Sequence, residues 1–381
     1  MKKYSLPFLG LILGVVLFVA CDDEPSEEIF ESSHQFLIGS YTSSEEEGIG
    51  FLEFDPLTNA ANIKVIGSNI TNPSFLTLNK KQDLLFTVEE IAGENGGRVK
   101  SFGFNKGDKE LTLISMENTL GDHPCYLTLD PNEQFLVVGN YSGGNFSTFR
   151  IDSGQLTHVQ TIEHEGKSII QSRQEKPHIH SLVFHPGGEK MFVSDLGTDK
   201  IYIYDFNPNY AVPFQPAAIP YFEVEAGSGP RHLIFNEKGD RFYLIHELTA
   251  ELGVYAYENE EINLLSTVSL THPQFQGTVG AAEVKLSQDG KYIYASNRGE
   301  ANEISVYEKD LNDKLILVQR ISTQGVSPRN FNFSNDGSTF IVGNQESNEI
   351  GIFDINQKTG MIGDIIQKVA FPKPAYILPL K

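Results

Sequence analysis

A short strand-opening phrase, often led by proline, returns seven times along the chain. It reads PSFLTL from Pro73, PCYLTL from Pro124, IHSLVF from Ile179, PRHLIF from Pro230, AAEVKL from Ala281, PRNFNF from Pro328 and PAYILPL from Pro374. The second residue of each phrase is Ser74, Cys125, His180, Arg231, Ala282, Arg329 and Ala375, at successive spacings of 51, 55, 51, 51, 47 and 46 residues. A strand-rich repeat of about 50 residues cannot bury its apolar faces alone. Arranged in a ring, each repeat covers its neighbours, so the spacing predicts a β-propeller with one blade per repeat.

A second phrase also returns seven times and confirms the register: FLIGSY from Phe36, LFTVEE from Leu85, LVVGNY from Leu136, FVSDLG from Phe192, YLIHEL from Tyr243, IYASNR from Ile293 and IVGNQE from Ile341. Further alternating runs such as KIYIYDF, LGVYAYE and EIGIFDI bring each unit to about four short strands separated by Gly, Asn and Asp turns. No long stripe of helical period carries caps at both ends, and the absence of Trp excludes the tryptophan-signed WD40 type. The chain therefore reads as all-β, a seven-bladed propeller of four-stranded blades. The second phrase comes first at the N-terminus, and an opening phrase stands alone at the C-terminus. One blade is thus expected to be closed by strands from both chain ends, leaving no exposed seam.

The first residues read as an address. Lys2 and Lys3 precede an apolar stretch, Leu6 to Ala20, that is short for a membrane span and ends in FVAC at Cys21. This resembles a bacterial lipoprotein signal, which implies cleavage before Cys21 and lipidation of its thiol, although Phe18 departs from the usual Leu. An ordinary signal peptide or an anchor helix is the plainer alternative. The expected organisation is a signal over 1–20, an acidic tether over 21–34 and the propeller over 35–381. The protein would be exported and membrane-anchored through its lipidated N-terminus alone, facing the periplasm or the cell surface. A formal net charge of −21 opposes binding to nucleic acid or anionic lipid. With two cysteines, one of them Cys21, the chain has no disulfide framework and no Cys-based zinc spacing.

In an antiparallel blade, the start of the first strand and the end of the second lie at the same end. Two rings of side chains should therefore meet at one mouth of the central channel. The first is the series Ser74 to Ala375. The second comprises the polar pairs that close the second strands: Ser40–Tyr41, Glu89–Glu90, Asn140–Tyr141, Asp195 with Leu196, His246–Glu247, Asn297–Arg298 and Asn344–Gln345. His180, Arg231, Glu247, Arg298 and Arg329 are thus expected to converge, a cationic patch on an acidic body. Guanidinium groups suit carboxylates, phosphates and polarised carbonyl oxygens. A neighbouring His and Glu suit general-base and general-acid roles. Asn140, Asp195, His246 and Asn297 are further candidates for substrate contact. The plainer reading is that the arginines only neutralise Glu89 or Asp195.

The segments NPSFLTL, GDHPCYLTLD, VGNYSGGNFS, RQEKPHIHS, SDLGTDKIYIYD, GSGPRHLIF, HELTAELGVY, LSQDGKYIYASNRG and GVSPRNFNF resemble the seven-bladed lactonase family. That family includes propeller-type 6-phosphogluconolactonases and carboxymuconate-lactonizing enzymes, and the resemblance runs from about Phe36 to Lys381. It implies action on lactone rings without a cofactor or required metal, with the family's functional His, Arg, Glu and Arg falling on His180, Arg231, Glu247 and Arg298. Arg329 and Asn140 are added from geometry. The expected reaction is hydrolysis of a sugar-acid or related lactone, a small anionic substrate: His180, tuned by Asp195 or Glu247, activates water while Arg231 and Arg298 hold the carbonyl oxygen and Arg329 or a neighbour holds a distal carboxylate or phosphate. A muconate-type cycloisomerase and a non-catalytic propeller binding sugar acids or a protein are the alternatives. Phosphorylated sugar lactones belong to the cytoplasm, so an exported enzyme leaves the natural substrate open. The H-x-H pair His178 and His180 could hold a metal, but no third ligand except His246 falls at an equivalent position. Cys125 reads as a small lining residue rather than a nucleophile.

Overall fold

The computed structural model describes residues 1–3, 33–94, 96–310 and 313–381. Cys21, almost all of the expected signal and most of the tether lie outside the described residues. Ser32–Lys381 forms one compact unit of seven four-stranded antiparallel sheets. Blade 1 joins Pro374–Pro379 to His34–Ser40, Gly48–Asp55 and Ala60–Ser68, so both chain ends build it as expected. His34, expected as the last residue of the tether, already pairs with Phe54.

Each of the remaining blades follows one repeat. Their inner strands are Leu76–Leu78, Pro124–Leu129, Ile179–Phe184, Pro230–Phe235, Ala281–Leu286 and Pro328–Phe333, in blades 2 to 7. The second strands are apolar on both faces because adjacent blades cover both; Phe135–Asn140, for example, is buried along its whole length. The outermost strands alternate with period two, as in Glu261–Ser269, because only one of their faces is covered. One apolar cluster fills each interface between adjacent blades. At the closure, Phe36, Ile38 and Ile377 of blade 1 and the adjoining Phe371 pack on Ile341, Ile350 and Ile352 of blade 7.

The inner strands of blades 1 and 3 to 7 share a defect that positions the side chains of the candidate site. Each carries a bulge near its start, where the ladder with the second strand skips a residue. The skipped residues are Ala375, Cys125, His180, Arg231 with His232, Ala282 with Glu283, and Arg329. An extra residue in one strand bends it and re-aims its side chain. Cys125, His180, Arg231, His232, Arg329 and Ala375 accordingly line one cavity on the ring axis, together with Ser74.

Candidate functional site

Glu247 stands at the mouth, one residue beyond strand Arg241–His246. Its Oε2 is 2.9 Å from Arg231 Nε and 3.1 Å from Arg298 Nη2, and its Oε1 accepts a 2.6 Å hydrogen bond from Arg173 Nη2. His180 Nε2 lies 3.9 Å from Oε2. Three guanidinium groups and an imidazole from blades 4, 5 and 6, and from the loop entering blade 4, therefore surround one carboxylate. Burial alone would raise the Glu247 pKa, but Arg298, Arg231 and Arg173 together hold it down to about 2. At that value Glu247 is ionised at neutral pH, where a general acid would have to carry a proton.

The groups around it are pre-set as well. Arg231, only 2 % exposed, donates to the Ala282 carbonyl, and Arg298 Nε donates to the Gly280 carbonyl at 3.0 Å. Burial, then the repulsion of Arg298, lowers the Arg231 pKa to about 10, so it stays charged at neutral pH. His180 is pushed well below the usual histidine range by burial and then by the charge of Arg231. It is a neutral imidazole whose Nδ1 is 3.9 Å from the Cys125 sulfur. Burial raises the pKa of the Cys125 thiol, which fits a lining residue better than a nucleophile. Beneath the mouth, the ring formed by Ser74, Cys125, His180, Arg231, Arg329 and Ala375 leaves only about 10 Å³, room for roughly one water. A ligand must therefore sit above this floor.

The structure brings His180, Arg231, Glu247 and Arg298 together, with Arg329 lining the same cavity. Arg329 Nη2 donates to Tyr41 Oη at 2.9 Å, and its guanidinium lies 5.2 Å from the Tyr41 ring centre. Neither Glu89 nor Asp195 is neutralised by these arginines: Glu89 pairs with Arg98 and Lys100, and Asp195 with His164.

Four residues expected to contact substrate make hydrogen bonds inside the blades. Asp195 accepts the backbone N–H groups of His178, Gly197 and Thr198 on Oδ1 and faces His164 Nδ1 at 2.8 Å through Oδ2. Asn140 Nδ2 donates to the Thr119 carbonyl and to Asn145 Oδ1. Asn297 Oδ1 accepts from Gly280 N, and His246 Nε2 lies 3.0 Å from Tyr255 Oη. All four are the first members of the polar pairs. Successive residues of a strand point to opposite faces, so only the second member, as at Glu247 and Arg298, can reach the mouth while the first is turned into the blade. Asp195 therefore does not tune His180; Glu247 is the carboxylate beside it.

Arg173 has no repeat-equivalent. It comes from the loop between Gln155–Glu163 and Ile179–Phe184, whose length produces the one 55-residue step in the ladder. That long step is the sequence signal that could have found it. The aromatic Tyr141 links this loop to the site, stacked on His178 at 4.5 Å and edge-on to His180 at 5.3 Å. A second tier also went unread, because the bulge turns two successive residues toward the axis: His232 Nδ1 faces Glu283 Oε1 at 3.2 Å, and Asn330 Nδ2 donates to Glu283 Oε2.

Residues 35–379 match the protein family described as "Lactonase, 7-bladed beta-propeller". The chain is 31 % identical over 341 residues to a 6-phosphogluconolactonase of Formosa agariphila, covering 87 % of this chain and 95 % of the relative. It is 28 % identical over 345 residues to the 6-phosphogluconolactonase of Bacillus subtilis, covering 89 % and 96 %. Among solved structures, the periplasmic gluconolactonase of Pseudomonas aeruginosa superposes with a TM-score of 0.87 at 34 % identity, covering 92 % of this chain and 99 % of that one.

Proposed function

Because the chain belongs to the seven-bladed β-propeller lactonase family, we propose that it hydrolyses the lactone ring of a sugar acid or a closely related compound, outside the cytoplasm. The observation that carries this reading is the Glu247 carboxylate clasped by three guanidinium groups beside a neutral imidazole, at the open end of a plugged channel. The names of the relatives support a sugar-acid lactone, and the periplasmic name of one structural relative agrees with the export signal expected at the N-terminus.

In this reading the lactone carbonyl lies against Arg298 and Arg173, the two guanidinium groups of the clasp that are not fully buried. Water attacks the carbonyl carbon and passes a proton to neutral His180. Glu247, 3.9 Å away, stabilises the imidazolium that forms. The arginine N–H groups take up the charge growing on the carbonyl oxygen. When the tetrahedral adduct collapses, the ring C–O bond breaks and the departing alkoxide takes the proton back from His180. The products are the open hydroxy acid and a regenerated neutral base.

A pH-stat assay of the propeller against gluconolactone, its 6-phosphate and muconolactones tests the proposal. Acid release above the spontaneous rate is expected, with Arg298→Ala losing roughly a hundredfold in kcat, because one oxyanion donor is worth about 3 kcal/mol. Acid release at the blank rate, or an undiminished kcat in Arg298→Ala, would end the assignment. Absorbance change on muconates without acid release would move it to ring-closing chemistry.

A further inference from the structure

Across the ring from Glu247 stands a second carboxylate with an oxygen left open. Glu90 follows strand Leu84–Glu89 of blade 2, three blades from Glu247 and so as far around a seven-bladed ring as two blades can be. Its Oε2 accepts hydrogen bonds from Tyr41 Oη at 2.7 Å and from Ser74 Oγ. Its backbone carbonyl accepts from Asn72 Nδ2 at 3.2 Å. Among the described residues nothing hydrogen-bonds Oε1, and that atom is not among the enclosed polar atoms. Ser74 lines the same cavity as His180, Arg231 and Arg329, so the open oxygen belongs to the mouth rather than to a blade interior.

The cation linked to it through Tyr41 is already engaged. Arg329 donates to Tyr41 Oη and to Gln345 Oε1, and Tyr41 in turn donates to Glu90. The far side of the mouth is thus a linked Arg329–Tyr41–Glu90–Ser74 chain that ends in a free carboxylate acceptor. Such an acceptor takes a hydrogen bond from an alcohol, and it repels a phosphate ester placed in the same position.

Resting on the lactonase reading above, we propose that Glu90, oriented by Tyr41 and Ser74, selects the far end of the substrate. It accepts a hydroxyl of a neutral polyol tail and rejects a terminal phosphate, so the preferred substrate is an unphosphorylated aldonolactone. With the carbonyl held at blades 4 to 6, the tail of the ring extends toward blade 2, where Glu90 meets it.

The test compares kcat/KM for glucono-1,5-lactone and its 6-phosphate in the wild-type protein, Glu90→Gln and Tyr41→Phe, with thermal melts confirming that each variant is folded. The wild-type protein should favour the unphosphorylated lactone by at least about tenfold, and Glu90→Gln should shrink that ratio by about tenfold. Tyr41→Phe keeps the Glu90 charge but removes the hydroxyl that orients it, and should shrink the ratio less than Glu90→Gln does. A wild-type preference for the phosphate, or an unchanged ratio in Glu90→Gln, overturns the assignment of Glu90 while leaving a lactonase. Failure to accelerate either lactone removes the lactonase reading itself, and this assignment with it.

Discussion

Glu247 joins two kinds of chemistry with one side chain, since the contacts that keep it ionised also fix the arginines that would receive a substrate carbonyl. Removing it would leave three guanidinium groups without their counter-ion, a loss of about 3–5 kcal/mol for a buried pair. In the proposed reaction His180 sets the pH behaviour. Its pKa in the folded protein is depressed by burial and Arg231, so the neutral, proton-accepting form persists below the usual histidine range. Lactonase kcat/KM should therefore stay level from neutral pH down past 6.5 and fall only in more acidic solution, as the imidazole finally protonates. A rate profile with an acid limb at 6.5 or higher would show that His180 is not so perturbed or is not the base. At this scale the sequence was legible where a residue occupied the bulge or the second place of a polar pair. At Asn140, Asp195, His246 and Asn297 the pairs read as two mouth residues each, whereas strand alternation turns the first member toward the blade.

The inner strand is the element on which both fold and site depend. Its bulge recurs in six blades with quite different ring residues, from Ala375 to Arg231, so the backbone supplies the direction and the side chain supplies the chemistry. The recurrence of the opening phrase made strand order, blade number and the shared closure of blade 1 readable. The bulge itself left no periodic signature, which is why the second tier, His232, Glu283 and Asn330, was invisible. Arg173 was hidden for another reason: it sits in a connecting loop, outside the repeat. The closing strand carries its own prediction. Phe371 and Ile377 are buried between blades 1 and 7, and truncating one such side chain costs roughly 2–5 kcal/mol. Deleting 371–381 removes both, together with a whole ladder, from a domain whose total stability is of order 5–15 kcal/mol. The truncated protein should show no cooperative melt at room temperature or above; a melting temperature equal to that of the full chain would contradict the closure.

At the scale of the whole molecule, seven similar sheets produce one asymmetric mouth. The chain carries a formal charge of −21, yet Arg173, Arg231, Arg298 and Arg329 gather around two carboxylates at a single end of the channel. A ring fold achieves this because each blade contributes the same two positions to the axis, and residues far apart in sequence become neighbours by repetition. The larger surface clefts, one lined by Ser287 and Lys291, one by Pro131 and Glu189 and one by Asn236 and Gly290, fall by the turns between first and second strands, at the other end of the blades. The proposed chemistry therefore sits at one end of the ring. A crystal structure of the propeller with an aldonate, the ring-opened product, measures this directly. The product carboxylate should lie within hydrogen-bond reach of Arg298 and Arg173 and above His180, with its polyol tail toward Glu90. An aldonate seated instead in one of the clefts at the opposite end, with the Glu247 clasp untouched, would contradict it.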